Sequence, residues 1–287
     1  FTLLSSAGGD ALANIRDNPQ VSEETINSLT KVYGLDRPFA ERYVHWLASA
    51  LTGDLGESFS FRVPVRTVVW PRFLNTASIG FAALIVAALI SMVLATLNLI
   101  YRNRIIAAAI DALILITAST PRIVTALLAL VLALYLGMPV ANSSSSFQFF
   151  ASVSVLALPL VSIFLAQLSD ALKEAMTEDF VRLARAKGLS EWAVIGRHAI
   201  RQALNPFLTV VGLSFGGLLG GSVIVETVLG WQGIGALMVG AVKSRDVPLV
   251  MGIVLVASIA VWIGNTGAEV MQTANDPRLR TADRAKD

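Results

Sequence analysis

The sequence predicts an all-α, polytopic membrane protein, and three observations carry that expectation. Charged residues make up only 15% of the 287 positions, against about 25% in typical soluble domains. The apolar residues come in long runs rather than in alternation, and runs of about 18 or more with few charges suit helices that cross the hydrocarbon core. Lys and Arg gather in alternate connecting loops, as they do when one side of a membrane holds them. The formal net charge of +2 is too small to point to nucleic acid. With no cysteine, disulfides, thiolate catalysis and cysteine-ligated metals are excluded. The two histidines, His45 and His198, stand far apart in sequence, so no metal site is expected.

Five spans follow in order. The first covers 75–99 (NTASIGFAALIVAALISMVLATLNL), the second 105–136 with an interruption at Pro121, and the third 149–168. The fourth runs over 207–228 and the fifth over 249–267, beyond a glycine-rich loop. No repeat of 20–50 residues is evident, nor any low-complexity tract beyond the serines at 143–146. YRNR at 101–104, the segment 170–205 and the tail after Asp276 fall on one side with two, six and four basic residues. On the other side, 137–148 holds none and 229–248 two, so the first set is assigned to the cytoplasm. Residues 7–73 are then extracytoplasmic, with seven basic and eight acidic side chains. The transmembrane domain covers 74–272, including a cytoplasmic loop at 170–206, and 273–287 form a cytoplasmic tail. An external start demands an earlier crossing. FTLLSS at 1–6 is therefore expected to be the outer end of a truncated first helix, with a cleaved signal sequence as the alternative.

The cytoplasmic segment RLARAKGLSEWAVIGRHAIRQALNP at 182–206 lacks loop composition. Ala, Leu, Arg and Lys over 182–187 favour a helix, and Gly188 can end it by taking positive φ. Ser190 is an N-cap residue type, and Trp192, Val194, Ile195, Ile200 and Ala203 make an apolar stripe for a second helix. Asn205-Pro206 is expected to close that helix before the next span. Pattern alone leaves two readings: a plug for a groove in a partner, or a basic segment held on anionic lipid.

The same residues resemble the cytoplasmic EAA loop of ABC-type dipeptide and oligopeptide importer permeases. Ala184, Gly188 and Pro206 fall where that family places an alanine, a glycine four residues on and a closing proline, while Arg182 stands at the glutamate position. GLDRPFAERYVHWLASALTGDLGES at 34–58, GGLLGGSVIVETVLGWQGIGALMVGAVKSRDVPLVMG at 216–252 and DPRLR at 276–280 resemble further parts of one permease subunit, so the likeness covers essentially the whole chain. Gln232 replaces a usual proline, and Arg122 a usual small or apolar residue. The resemblance implies the type I, MetI-like transmembrane fold in a bacterial or archaeal plasma membrane. It implies a coupling element carried by Arg182, Ala184, Arg185, Lys187, Gly188, Leu189, Ser190 and Trp192. Its implied partners are a second homologous permease, two ATPase subunits that bind ATP and Mg, an extracytoplasmic substrate-binding protein and membrane lipid. Members import dipeptides, oligopeptides, nickel complexes, glutathione or sugars.

The rest of the chain fits a non-catalytic role. The phosphate-binding pattern G-x-x-x-x-G-K-[ST] is absent, and no histidine stands in a plausible relation to a serine nucleophile. No cofactor is therefore expected in this chain. Gly212, Gly216 and Gly220 are spaced by four, as are Gly217 and Gly221, which predicts close helix packing or a pore-lining face. Pro121 is expected to kink the second span. Asp111 and Arg122, eleven residues apart, are expected on nearly one face of it. Arg122 should then face protein or a water-filled path, either lining translocation or pairing with the second permease. Glu226 is expected to end the fourth span outside, GWQGIG at 230–235 to form an external gate, and Asp246-Val-Pro248 to start the last helix. PFAERYVHWLASAL in the external segment has an amphipathic helix pattern, with His45 and Trp46 as packing residues. A secondary transporter without ATPases is the alternative reading, and Asp111 and Arg122 are its few ion-coupling candidates.

Overall fold

In hydrocarbon every backbone N–H and C=O must find its partner within the segment, so long apolar runs fold as helices. The computed structural model describes residues 38–101, 103–138 and 146–275, with 22–24 and 30 besides. The segment 1–6, residues 139–145 and DPRLR lie outside the described residues. Helices are α1 (Phe39–Leu51), α2 (Val65–Tyr101), α3 (Arg104–Ser119), α4 (Arg122–Tyr135) and α5 (Ser146–Ala175). They continue with α6 (Asp179–Ala186), α7 (Glu191–Leu229), α8 (Ile234–Lys243) and α9 (Val247–Asn275). No β-strand occurs among the described residues; one isolated bridge joins Glu57 to Pro64. Helices α2, α5, α7 and α9 are each long and apolar enough to cross a membrane, and α3 with α4 makes a fifth candidate as a bent pair. Four of the five expected spans are long single helices, and the second falls on the bent pair.

The chain divides into two compact units, and α2 and α9 each contribute residues to both. One holds 232–258 and the residues up to Asn75. Its core sets Val65 and Val69 of α2 against Ile234, Leu237 and Ala241 of α8 and Leu249, Val250 and Ile253 of α9. Gly252 lets α9 close on Val65, since a Cβ there would overlap the valine side chain. Asp246 is fully buried, and its carboxylate accepts from the Ser58 hydroxyl, the Ser60 N–H at 2.9 Å and the Leu249 N–H at 3.1 Å. The last of these is an N-cap bond, so the expected helix start at 246–248 is present.

The other unit holds 76–231 and the chain from Ile259 on. Helix α5 is its centre: 56% of its span is buried, against 28% for α7 and 22% for α9. Phe164 of α5 meets Phe207 of α7 edge-on at 5.3 Å between ring centroids. Ser91 of α2 donates to the Val161 carbonyl at 3.3 Å. The outward faces keep large apolar side chains exposed, as a lipid or subunit contact requires; Val131, Leu134 and Trp262 are examples.

Two expectations about these elements are corrected. The second span is not one kinked helix but two, bent by 97°. The ring of Pro121 forces Thr120 into extended backbone (φ −89°, ψ 117°), and Pro121 itself is extended before α4 begins. Two extended residues in succession redirect the chain rather than bend it, so Asp111 and Arg122 share no helix face. Pro206 does not close a short helix either; it lies inside α7, which runs for 39 residues. Losing one interior hydrogen bond is offset there by packing, since Ala203 and Phe207 on either side are buried in the core. Glu226 stands in the last turn of α7, which ends at Leu229, and its buried carboxylate accepts from the Thr76 hydroxyl at 2.6 Å.

Candidate coupling site and translocation face

The cytoplasmic element is built from the turn between α6 and α7. Lys187 closes α6, and Gly188 takes φ +78°, where an L side chain is strained. The Gly188 N–H then donates to the Arg185 carbonyl at 2.9 Å and the Leu189 N–H to the Ala184 carbonyl at 3.3 Å. These two bonds make a Schellman cap. The Ser190 hydroxyl accepts from the Ala193 N–H at 3.4 Å, a long N-cap bond that starts α7. Across the turn Arg185 grips Glu191 with two bonds, 2.8 and 3.1 Å, and this hydrogen bonding pushes the guanidinium pKa above its ordinary value. Beneath lies a small core of Val181, Ala184 and Val194 with Met176 and Phe180.

The result is a knob with its own core and an apolar crest: Leu183, Leu189 and Trp192 are 57%, 40% and 58% exposed. Arg182 and Lys187 are also exposed, and Arg182 pairs only loosely with Asp179 at 3.7 Å. Ala184 is the buried member of the expected set. At 5% exposure it supports the knob from within. Leu183 and Glu191 escaped the sequence reading. The Arg185–Glu191 pair spans six positions, a spacing that no continuous helix brings together, so only the turn reveals it.

A π-helical turn, Ile195–Ala199, lies at the base of the knob, and such turns are frequent at functional sites. From there α7 continues unbroken through the bundle. At 1.5 Å per residue its 39 residues reach about 58 Å, roughly twice the hydrocarbon thickness. One continuous helix therefore joins the knob to the span.

Of the second set of expected residues, one meets α7. Pro121 is exposed at the α3–α4 break. Arg122 is half-buried and donates from Nη1 to the Gly217 carbonyl at 3.2 Å, and a Cβ at Gly221 would overlap its guanidinium. The second glycine pair thus cradles an arginine. The first set packs instead: Gly212 meets Ala268 of α9 so closely that a Cβ would overlap it, and one at Gly216 would lie 3.4 Å from Val261. A Cβ at Gly220 would have nothing within 4 Å in this chain. Gly264 of α9 repeats the device in return, lying against the ring of Phe215.

Apolar helices of crossing length around a buried centre, one of them continued into a basic knob, define an integral membrane protein. The chain belongs to the family of binding-protein-dependent transport system inner membrane components, whose model matches residues 87–281. It is similar to a peptide permease of Brucella suis biovar 1, 30% identical over 98% of this chain and 92% of that one. It is equally similar to the glutathione transport system permease GsiC of Escherichia coli, 30% identical over the same shares. The fold resembles the crystal structure of an amino acid ABC transporter with histidines, with a TM-score of 0.57, 20% identity and coverage of 71% of this chain and 92% of that one. It also resembles the inward-facing MetNI methionine ABC transporter, with a TM-score of 0.56, 16% identity and coverage of 74% and 95%. This chain is thus a multi-pass membrane protein, the permease component of a binding-protein-dependent transport system.

Proposed function

We propose that this permease imports peptides or related small solutes as half of a translocation path driven by partner ATPases of the ABC type. One observation supports the reading above the others: the knob with its apolar crest is continuous with α7. A partner that moves the knob moves a membrane-spanning helix, with no loop between them to absorb the displacement. In this reading Leu183, Leu189 and Trp192 seat in a groove of an ATPase, while Arg182, Arg185 and Lys187 surround them. Gly188, Ser190 and the buried Ala184 keep the knob in shape. ATP and Mg are bound by the two ATPase subunits, and this chain does no chemistry. A second, homologous permease completes the path, and an extracytoplasmic binding protein delivers the solute.

In the same reading 7–73 form the extracytoplasmic segment, 74–272 the transmembrane domain with its coupling loop at 170–206, and 273–287 the cytoplasmic tail. The membrane is a bacterial or archaeal plasma membrane. Pro121 and Arg122 border the path, with Arg122 offering a positive charge to an anionic group such as a peptide carboxylate.

The test is co-purification of the full-length chain from native membranes in mild detergent, with ATP hydrolysis assayed on the eluate. ATPase subunits and a second permease should accompany the wild-type chain. Leu183→Glu with Trp192→Glu should release the ATPases while leaving the second permease and the elution profile unchanged. ATPases that stay bound to this variant would overturn the coupling assignment, and a chain that never brings ATPases would favour a secondary transporter.

A further inference from the structure

Along α7 the residues Leu213, Gly217, Gly220 and Ile224 follow one another at helical spacing, and all of them are exposed. Leu213 and Ile224 stand out at 69% and 37% exposure, while the two glycines between them show bare backbone. A Cβ at Gly217 or at Gly220 would meet nothing within 4 Å, so the face carries an open notch there. Arg122 borders the notch. Its Nη1 donates to the Gly217 carbonyl at 3.2 Å, and its guanidinium covers Gly221, which is buried beside it.

This cation is not neutralised within the chain. The Gly217 carbonyl takes one N–H, and the other guanidinium donors have no partner among the described residues. No carboxylate among those residues pairs with it either. Gly217 lies midway between Phe207 and Val228, about 15 Å from either end of the apolar run. A charge at that depth is costly against lipid and marks a solute or ion pathway. The backbone points the same way. Arg122 is the first residue of α4, just past the break at Thr120 and Pro121, and the first N–H groups of a helix have no partner within it. A discontinuous helix that begins at mid-depth suits an anionic solute group. One arginine balances one negative charge, and its planar fork matches a carboxylate with two parallel N–H bonds.

We propose that the notch is a solute subsite for a terminal carboxylate, and that Arg122 makes the permease selective for solutes that carry one. The carboxylate accepts from the guanidinium donors that Gly217 leaves, and the carbon chain next to it lies across the glycines between Leu213 and Ile224. The Gly217 bond holds the fork at the edge of the notch, and Gly221 gives it room to lie there. The proposal rests on the import reading above and narrows it from peptides or related solutes to those with a free carboxylate.

The test uses the complete transporter, with second permease, ATPases and binding protein, in proteoliposomes. Gly220→Cys, unique in a chain without cysteine, is labelled by a water-soluble methanethiosulfonate during ATP turnover. Trialanine and S-methylglutathione are each compared with the form whose carboxyl end is a carboxamide. At least one free acid should slow labelling by on the order of tenfold, and its amide should not. Adding Arg122→Gln should abolish that protection, and Arg122→Lys, which keeps the charge but loses the fork, should retain part of it. Gly221→Ala, which displaces the guanidinium, should act as Arg122→Gln does. A cysteine that stays unlabelled, protection by neither acid, equal protection by acid and amide, or protection that survives Arg122→Gln would each overturn the subsite. So would loss of the second permease from the purified Arg122→Gln complex, since the arginine would then pair with that subunit. Uptake separates the two readings: import that continues in Arg122→Gln with an unchanged acid-to-amide ratio overturns the subsite alone, whereas a wild-type chain that never brings ATPases overturns the import reading itself.

Discussion

Gly188 shows how much one backbone angle controls in this protein. Its φ of +78° closes the Schellman cap that turns the chain from α6 into α7, and the space around it is open, with nothing within 4 Å of where a Cβ would stand. The constraint is therefore conformational, not steric. Gly188→Ala should cost about 1 kcal/mol at the turn and loosen the grip of the coupling element. Gly188→Asn should cost less, because asparagine tolerates the left-handed region. Hydrolysis-coupled uptake in proteoliposomes should rank glycine above asparagine above alanine; equal rates for all three would show that the turn does not limit coupling. Arg185 is a second case. Its pKa is raised in the fold by the bonds to Glu191, so whatever stability it contributes is present below the ordinary arginine range and lost only as pH rises through the higher folded value. Retention of ATPases should accordingly show no step attributable to Arg185 between about pH 6 and about pH 9. A step there that vanishes in Arg185→Lys would contradict this.

Among the elements α7 carries the most. Its glycines divide into two tasks: Gly212 and Gly216 admit α9, and Gly217 and Gly221 hold Arg122, while Gly220 has nothing within 4 Å. A spacing of four is one pattern in the sequence, but the neighbour each glycine meets depends on where other helices lie. Gly212→Leu should destabilise by about 1–3 kcal/mol through overpacking against Ala268, while Gly220→Ala should fall within about 0.5 kcal/mol of wild type. Thermal unfolding of the purified complex followed by tryptophan fluorescence would separate the two, and equal losses would refute the division. Pro121 and Pro206 make the same point. Sequence pattern predicts that both interrupt helices, yet one redirects the chain by 97° and the other is absorbed. Thr120 has extended geometry before Pro121, whereas Pro206 is flanked by buried Ala203 and Phe207, whose packing keeps the helix continuous.

On the scale of the whole molecule the lack of cysteine is an opportunity, because single cysteines can report sidedness without a background. Cysteines at Leu183 and Thr227, both exposed and near opposite ends of the α6–α7 segment, should be blocked by a membrane-impermeant maleimide from opposite sides. Labelling of Leu183→Cys in inside-out vesicles and of Thr227→Cys in right-side-out cells is the expected result; labelling of both from one side would overturn the topology. Residue order alone determined the membrane class, the four long spans, the side to which 170–206 is assigned and the helix start at 246–248. Each follows from local quantities: run length, charge position and the cap chemistry of single residues. Tertiary structure decided what depends on neighbours distant in sequence. It buried Glu226 against Thr76, tied Arg122 to Gly217 and set Arg185 against Glu191. No helical period records such contacts, since each is fixed by how separate helices pack and where they end.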